Sequence, residues 1–273
     1  MNVQEEELTK ENFGMLSEER LNLIRQQLTQ TGKVLASDLA VEFDCSEDTI
    51  RRDLRELARS GFCKRVYGGA LAHPPAPAPN SGSIEVRSRR QIDSKSRLAK
   101  AAVASLASCD TIFIDASSTN LVIAEALPRD RKINVVTNAP AIAVALKDHQ
   151  LCTIMMIGGL FNSDKGICYG PQAVRDIENI YADVFVLGAC GVDAITGLTA
   201  LDPSEAEVKR AMVNQSAKVL VASTTNKLGT VAPFRVMDTS SQIQLIVDFD
   251  VATELLESLR RTDMVVDVVA SKA

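Results

Sequence analysis

Between residues 96 and 247 the chain alternates short apolar runs with amphipathic stretches, and nothing else in the sequence restricts the fold as much. The apolar runs fall at 111–115, 133–136, 152–157, 184–188, 219–222 and 243–247, and helical patterns at 96–106, 120–127, 139–147, 171–180 and 205–216 separate most of them. Short runs that are apolar throughout, rather than at every second position, suit strands buried on both faces. Interleaved with helices, they imply a mostly parallel sheet covered on both sides, because parallel neighbours need a crossover between them. A helix near 253–261 and an edge strand at 264–269 complete this region. The expected class is α/β, with a Rossmann-like, mostly parallel C-terminal domain.

The pattern breaks at 73–83, which reads HPPAPAPNSGS, with four prolines and no charged residue. Such segments favour extended polyproline II and act as spacers, so a domain boundary is expected there. Upstream the spacing is helical. Leu21, Ile24 and Leu28 mark one buried face, and Gly32 is a C-cap candidate. Residues 36–43 offer a second short helix with Leu39, Ala40 and Phe43 inward. Ser46 is a suitable N-cap for a third, with Glu47 and Asp48 in its first turn, where the helix dipole favours acids. That helix should run to about Ser60 and stop at Gly61, before two short strands around Gly68-Gly69. Three helices and a hairpin suggest a winged helix-turn-helix over 17–72. The expected divisions are therefore 17–72, a linker at 73–83, an α/β domain at 84–250, and a C-terminal helix and strand at 251–273.

The net charge is −5, yet residues 49–67 hold six basic side chains against two acidic ones. At about 100° per residue, Ile50, Leu54 and Leu57 fall on one side of the third helix. Arg51, Arg52, Arg55 and Arg59 form an arc on the other, which suits phosphates and guanine edges as well as it suits plain solvation. Ser46 and Thr49 sit at the reading end of that helix; Lys64, Arg65 and Tyr67 lie in the wing, placed for backbone contacts. The acidic start, residues 1–14, lacks an apolar core and reads as a solvated extension rather than a secretory signal, and no apolar run is long enough to span a bilayer. A cytoplasmic location and no membrane partner are expected. The six cysteines and two histidines are scattered. That spacing gives no disulfide framework and no metal site, and no cofactor is expected.

After the first strand of the alternating region comes Asp115-Ala116-Ser117-Ser118-Thr119-Asn120, then a helix. Hydroxyl residues between a strand end and a helix start can cradle an anion with the exposed amides, or can simply cap the helix. Other strand ends carry Thr137-Asn138, Gly158-Gly159, the stretch from Gly188 through Gly191 to Asp193, and Thr224-Thr225-Asn226-Lys227. Open parallel sheets bind ligands at these ends.

The segment Ser46-Glu47-Asp48-Thr49-Ile50-Arg51-Arg52-Asp53-Leu54, preceded by Arg20 and Ile24 and followed by Arg65-Val66-Tyr67-Gly68-Gly69-Ala70, resembles the DeoR family of bacterial transcriptional regulators. The resemblance spans about 17–71 and places the helix-turn-helix at about 34–53. Asp53, off the arginine arc, reads as structural. Residues 87–248 are similar to the sensor domain of that family, which shares its fold with ribose-5-phosphate isomerases and CoA transferases. The resemblance implies an effector site of Asp115, Ser117, Ser118, Thr119, Asn138, Gly191 and Lys227. It adds Glu205 and Lys209, whose i,i+4 spacing also suits an ion pair. Two positions depart from the family pattern: Ala116 stands where glycine is usual, and Thr224 where an aspartate is usual.

The expected function is a DNA-binding regulator, a repressor of a carbohydrate-metabolism operon, acting as a homo-oligomer on operator DNA under control of a phosphorylated sugar or related metabolite. It is not expected to be an enzyme. Two rivals are an isomerase that retains an acid/base pair among Asp115, Asp193, Glu205 and Lys227, and an interaction module with a vestigial pocket.

Overall fold

The computed structural model describes residues 16–59, 62–72, 76–79 and 84–270. The chain forms two compact units that divide between Pro74 and Pro75. Residues 1–15, the expected helix stop at Ser60 and Gly61, and 73–75 and 80–83 of the proline-rich stretch lie outside the described residues.

In the N-terminal unit α1 (Ser17–Thr31) precedes β1 (Lys33–Leu35), α2 (Ala36–Glu42), α3 (Glu47–Arg59), β2 (Cys63–Val66) and β3 (Gly69–Ala72). Gly32 ends α1 in the left-handed region, at φ 73°, with its N–H on the Leu28 carbonyl. That backbone costs glycine little and other residues more. The wing has three strands in the order β1-β3-β2, all antiparallel. The hairpin was legible in the sequence; β1 was not, because a three-residue strand is too short to show a period. Leu21, Ile24, Leu28, Leu39, Phe43, Ile50, Leu54 and Leu57 make the core, closed by Cys63 and Ala70 from the wing. Asp53 is buried and accepts from Arg20 Nε at 2.5 Å and Nη2 at 3.3 Å, tying α3 to α1.

The C-terminal unit opens with β4 (Ala76–Pro77), α4 (Ile84–Ser88) and α5 (Ile92–Ser105). Then follow β5 (Thr111–Ile114), α6 (Ser118–Glu125), β6 (Ile133–Thr137), α7 (Pro140–Ala145) and β7 (Cys152–Met156). A hairpin of β8 (Leu160–Asn162) and β9 (Ile167–Tyr169) leads to α8 (Pro171–Ile177) and β10 (Ala182–Val186). Next are β11 (Gly191–Asp193), β12 (Gly197–Ala200), α9 (Pro203–Asn214) and β13 (Ser216–Ser223). A 3-10 turn (Thr225–Lys227), β14 (Thr230–Val231), β15 (Phe234–Met237), β16 (Ile243–Val247), α10 (Thr253–Arg260) and β17 (Val265–Val268) end the unit.

Seven strands form one sheet in the order β17-β16-β13-β10-β5-β6-β7, and every neighbouring pair is parallel. The reason for the unbroken apolar runs is visible in the core. Ile112, Ile114, Val184, Val186, Leu220 and Ile246 pack on one face, while Phe113, Phe185, Val219, Val221, Leu245 and Val247 pack on the other. Adjacent residues of one strand point to opposite faces, so a doubly covered strand has no polar side. Phe113 and Phe185 meet edge to face, with centroids 6.4 Å apart. The final helix and strand belong to this layer, because β17 pairs with β16.

Other features of this unit also differ from the sequence reading, the β8–β9 hairpin among them. Part of the expected 73–83 spacer is docked: β4 pairs with β14, and the Ala78 N–H bonds the Val231 carbonyl at 2.8 Å. An extended proline-rich chain still offers carbonyls and the amides of its non-proline residues, which is enough for a short ladder. A second, antiparallel sheet, β11-β12-β15, was also not foreseen.

The chain winds from β5 outward through β6 and β7, then returns to β10 beside β5 and winds outward the other way. Neighbouring crossovers therefore leave in opposite directions after β5 and β10, which opens a crevice at their carboxyl ends.

Candidate nucleic-acid interface and ligand site

On α3 the side chains of Arg51, Arg52, Arg55 and Arg59 are exposed, opposite the buried Ile50, Leu54 and Leu57. Ser46 Oγ accepts from the Thr49 N–H at 3.2 Å and lies 2.9 Å from Thr49 Oγ1, so this pair caps the helix. Arg51 contacts Glu47 at 2.6 Å and Asp48 at 3.7 Å. Exposed pairs of this kind are worth at most about 1 kcal/mol, little hindrance to a phosphate. Lys64 and Arg65 are exposed on β2, and Tyr67 stands fully out at the wing tip. Every basic residue expected to meet DNA is thus on the surface, while Asp53 is withdrawn into its pair with Arg20.

In the second unit, the crevice between β5 and β10 is filled at its base by a buried charge cluster. Asp115 follows β5 directly. Its Oδ1 accepts from the Gly188 N–H at 2.8 Å and from Asn120 Nδ2 at 2.7 Å; its Oδ2 accepts from Lys209 Nζ of α9. Lys209 also donates to the Gly188 carbonyl at 2.8 Å and pairs with Glu205 at 3.1 Å. Burial alone would lower the Lys209 pKa, but the Asp115 and Glu205 carboxylates outweigh it and hold the ammonium above the usual lysine range. Asn120 Nδ2 reaches on to the Val186 carbonyl at 2.9 Å, joining α6 to β10.

Above this cluster lies a cavity of about 270 Å³, lined by Arg87, Arg90, Gln91, Lys95, Ser118, Thr119, Thr224, Asn226 and Lys227. Among the described residues its lining holds four cations, hydroxyls and amides, and no carboxylate. Lys95 of α5 is buried, and its Nζ donates to the carbonyls of Arg87 and, at 2.6 Å, Arg90. It thereby pins the turn that carries both arginines. Gln91 in that turn sits at φ 53°, a left-handed conformation that a non-glycine residue holds only where its surroundings enforce it. Burial, then the neighbouring Lys227 and Arg87 charges, push Lys95 down to about 8. Burial likewise lowers Lys227, whose Nζ donates to the Ala189 carbonyl at 2.8 Å. The described lining residues carry no negative charge, and an anion would supply it.

Of the expected effector residues, Ser118, Thr119 and Lys227 line this cavity and the others do not. Asp115 is committed to the buried cluster. Ser117 caps α6, its Oγ accepting from the Asn120 N–H at 2.9 Å. Asn138, at the end of β6, donates to the Cys168 carbonyl at 2.9 Å. Gly191 lies in β11, where a Cβ would fall 2.4 Å from the Thr230 carbonyl oxygen, so its glycine serves close strand packing. Arg87, Arg90, Gln91 and Lys95 were not singled out from the sequence. The only signal there was a basic run ahead of a helix whose pattern became legible at Ser96; α5 starts earlier, at Ile92.

Residues 20–74 match the model of the DeoR-like helix-turn-helix domain, and residues 90–249 match that of the DeoR C terminal sensor domain. Over 229 residues the chain is 31% identical to the HTH-type transcriptional regulator GolR of Listeria innocua, covering 84% of this chain and 89% of that one. Over 215 residues it is 30% identical to the glycerol-3-phosphate regulon repressor of Escherichia coli K12, covering 79% and 84%. Among solved structures, ribose 5 phosphate isomerase A of Neisseria gonorrhoeae aligns at 18% identity over 52% of this chain and 55% of that one, with a TM-score of 0.35, too slight a likeness to build on. With a helix-turn-helix head and a sensor matched in tandem, the chain belongs to the DeoR family of transcriptional regulators.

Proposed function

We propose that the chain represses a carbohydrate-metabolism operon by binding operator DNA through α3 and the wing, and that a phosphorylated sugar or related metabolite in the α4–α6 cavity controls that binding. The observation that carries the reading is the cavity lining, with four cations and, among the described residues, no carboxylate. Each charge-assisted bond to a phosphate there would contribute roughly 1.5–3 kcal/mol. The names of the relatives, a glycerol-3-phosphate regulon repressor among them, support the same reading. The proposed contacts are Ser118, Thr119, Asn226 and Lys227, with Arg87, Arg90 and Lys95. Asp115, Ser117, Asn138 and Gly191 are proposed to frame them rather than touch the ligand.

Retained isomerase chemistry is less well supported. It needs a carboxylate placed to move a proton at the sugar, and Asp115 and Glu205 are both paired with Lys209. Action as a homo-oligomer in the cytoplasm is part of the proposal. Helix-turn-helix dimers meet two half-sites. Met155, Met156, Leu160 and Phe161, on and beside the outer strand β7, are exposed apolar groups that a second copy would cover. None of the helices among the described residues is long and apolar enough to cross a membrane.

The test is a mobility-shift titration of the operator complex with paired phosphorylated and dephosphorylated sugars, alongside turnover assays on the same panel. Response to a phosphorylated member alone, without turnover, is expected. Product formation, or no change in DNA affinity with any member, would count against the proposal.

A further inference from the structure

The cavity presents more positive charge than one phosphate can balance. A phosphate monoester carries at most two negative charges near neutral pH, whereas Arg87, Arg90, Lys95 and Lys227 bring four positive ones to about 270 Å³. Among the described residues no carboxylate in the lining offsets them, and the buried Asp115 is committed to Lys209. Like charges brought together in a partly desolvated space repel; burial first, and neighbouring cations after it, lower the Lys95 and Lys227 pKa values. A bound monophosphate would leave about half of the imbalance in place.

The donors also fall into two chemical sets. One combines the Ser118 and Thr119 hydroxyls with Lys227, at the start of α6. The amides of a first helical turn have no partner within the helix, so this set suits a phosphate held by hydroxyls, amides and a point charge. The other set is the guanidinium pair of Arg87 and Arg90, carried on one turn pinned by Lys95. Planar forks match carboxylate or phosphate edges in a bidentate manner, which an ammonium does not. Arg87 Nε is buried and has no hydrogen-bond partner among the described residues, and a buried donor of this kind costs free energy until an acceptor arrives.

We infer that the ligand of this cavity carries two anionic groups, one a phosphate at the Ser118, Thr119 and Lys227 set and the second, a phosphate or a carboxylate, at Arg87 and Arg90. The inference rests on the proposed reading of the cavity as a phosphorylated-metabolite site and narrows it to doubly anionic metabolites.

The experiment is calorimetric titration of the full chain with matched probes. Fructose 6-phosphate is compared with fructose 1,6-bisphosphate, and glucose 6-phosphate with 6-phosphogluconate; inorganic phosphate is the reference. The partners in each pair share a carbon chain and differ by one anionic group, and the second anion is a phosphate in one pair and a carboxylate in the other. In at least one pair the doubly anionic member should bind about tenfold or more tightly than its partner. The double variant Arg87→Gln/Arg90→Gln should lose that advantage, weakening the doubly anionic member about tenfold or more beyond any effect on its monophosphate partner, and should still unfold as a cooperative, folded protein. Lys227→Gln should weaken both members of the pair. Monophosphates that bind as tightly as their doubly anionic partners, or an advantage that survives in the double arginine variant, would overturn the inference and leave the phosphate site standing. Failure of every probe, inorganic phosphate included, at millimolar concentration would instead remove the phosphate-site reading, and this inference with it.

Discussion

Replacing Asp115 by alanine is expected to destabilise the sensor by about 3–5 kcal/mol, the usual cost of removing one partner of a buried ion pair. Both Asp115 and Lys209 are almost fully shielded from solvent. Without the carboxylate, Lys209 keeps only Glu205 at 3.1 Å and the Gly188 carbonyl at 2.8 Å. The Gly188 N–H and one Asn120 donor bond also lose their acceptor, and buried donors left without one cost about 1–3 kcal/mol each. A domain has only about 5–15 kcal/mol in total, so the loss should be plain in urea unfolding. Asp115→Asn, which retains an acceptor for Gly188 but drops the charge, should fall between the two. A loss under about 1 kcal/mol would mean the pair behaves like an exposed one. An Asp115→Ala protein of normal stability that no longer responds to ligand would return Asp115 to the ligand contacts.

In Arg51→Ala/Arg52→Ala, operator affinity should fall by about 2–6 kcal/mol, at roughly 1–3 kcal/mol for each arginine that contacts a base. Both residues are exposed at the start of α3, the part of a recognition helix that reaches base edges. Arg51 must share or leave its contacts with Glu47 and Asp48, so Arg52→Ala should be the costlier single change. The salt dependence separates the two kinds of contact. Loss of phosphate contacts would flatten the log–log slope by about one unit per residue, while loss of base contacts would leave the slope and relax sequence preference. Unchanged operator affinity in the double variant would move the interface off α3.

The main sheet was legible because each of its strands is a run of apolar residues long enough to stand out between helices. Strands β5, β6, β7, β10, β13 and β16 all fall within a few residues of where the pattern put them. The head was legible because the alternation of Ile50, Leu54 and Leu57 with four arginines is a strong helical signal. The small sheet was not, since Gly191–Asp193, Gly197–Ala200 and Phe234–Met237 are too short to show a period. In the cavity, the sequence pointed to the α6 start and to Lys227, while Asp115, expected beside the effector, is paired with the buried Lys209. A carboxylate at a strand end looks the same whether it meets a ligand or a lysine 94 residues further along the chain. Arg87, Arg90 and Lys95 escaped notice for the same reason: their convergence with residues 224–227 is purely tertiary. The buried Arg20–Asp53 pair was half legible, with Asp53 read as structural and its partner not named.

The central claim is that this cavity controls DNA binding, and Lys227→Gln tests it most directly. Glutamine removes the charge and leaves an amide donor on a side chain one bond shorter, beside the Ala189 carbonyl that Lys227 now bonds. Operator complexes of wild type and variant are titrated side by side with the phosphorylated metabolite that binds the wild-type protein. Without ligand the two should bind operator equally, because Lys227 lies in the sensor unit and α3 in the other. With ligand, the variant should need about tenfold or more to reach the same response, the worth of one charge-assisted bond to phosphate. An equal response in the two proteins, or equal potency of the dephosphorylated sugar, would contradict the account.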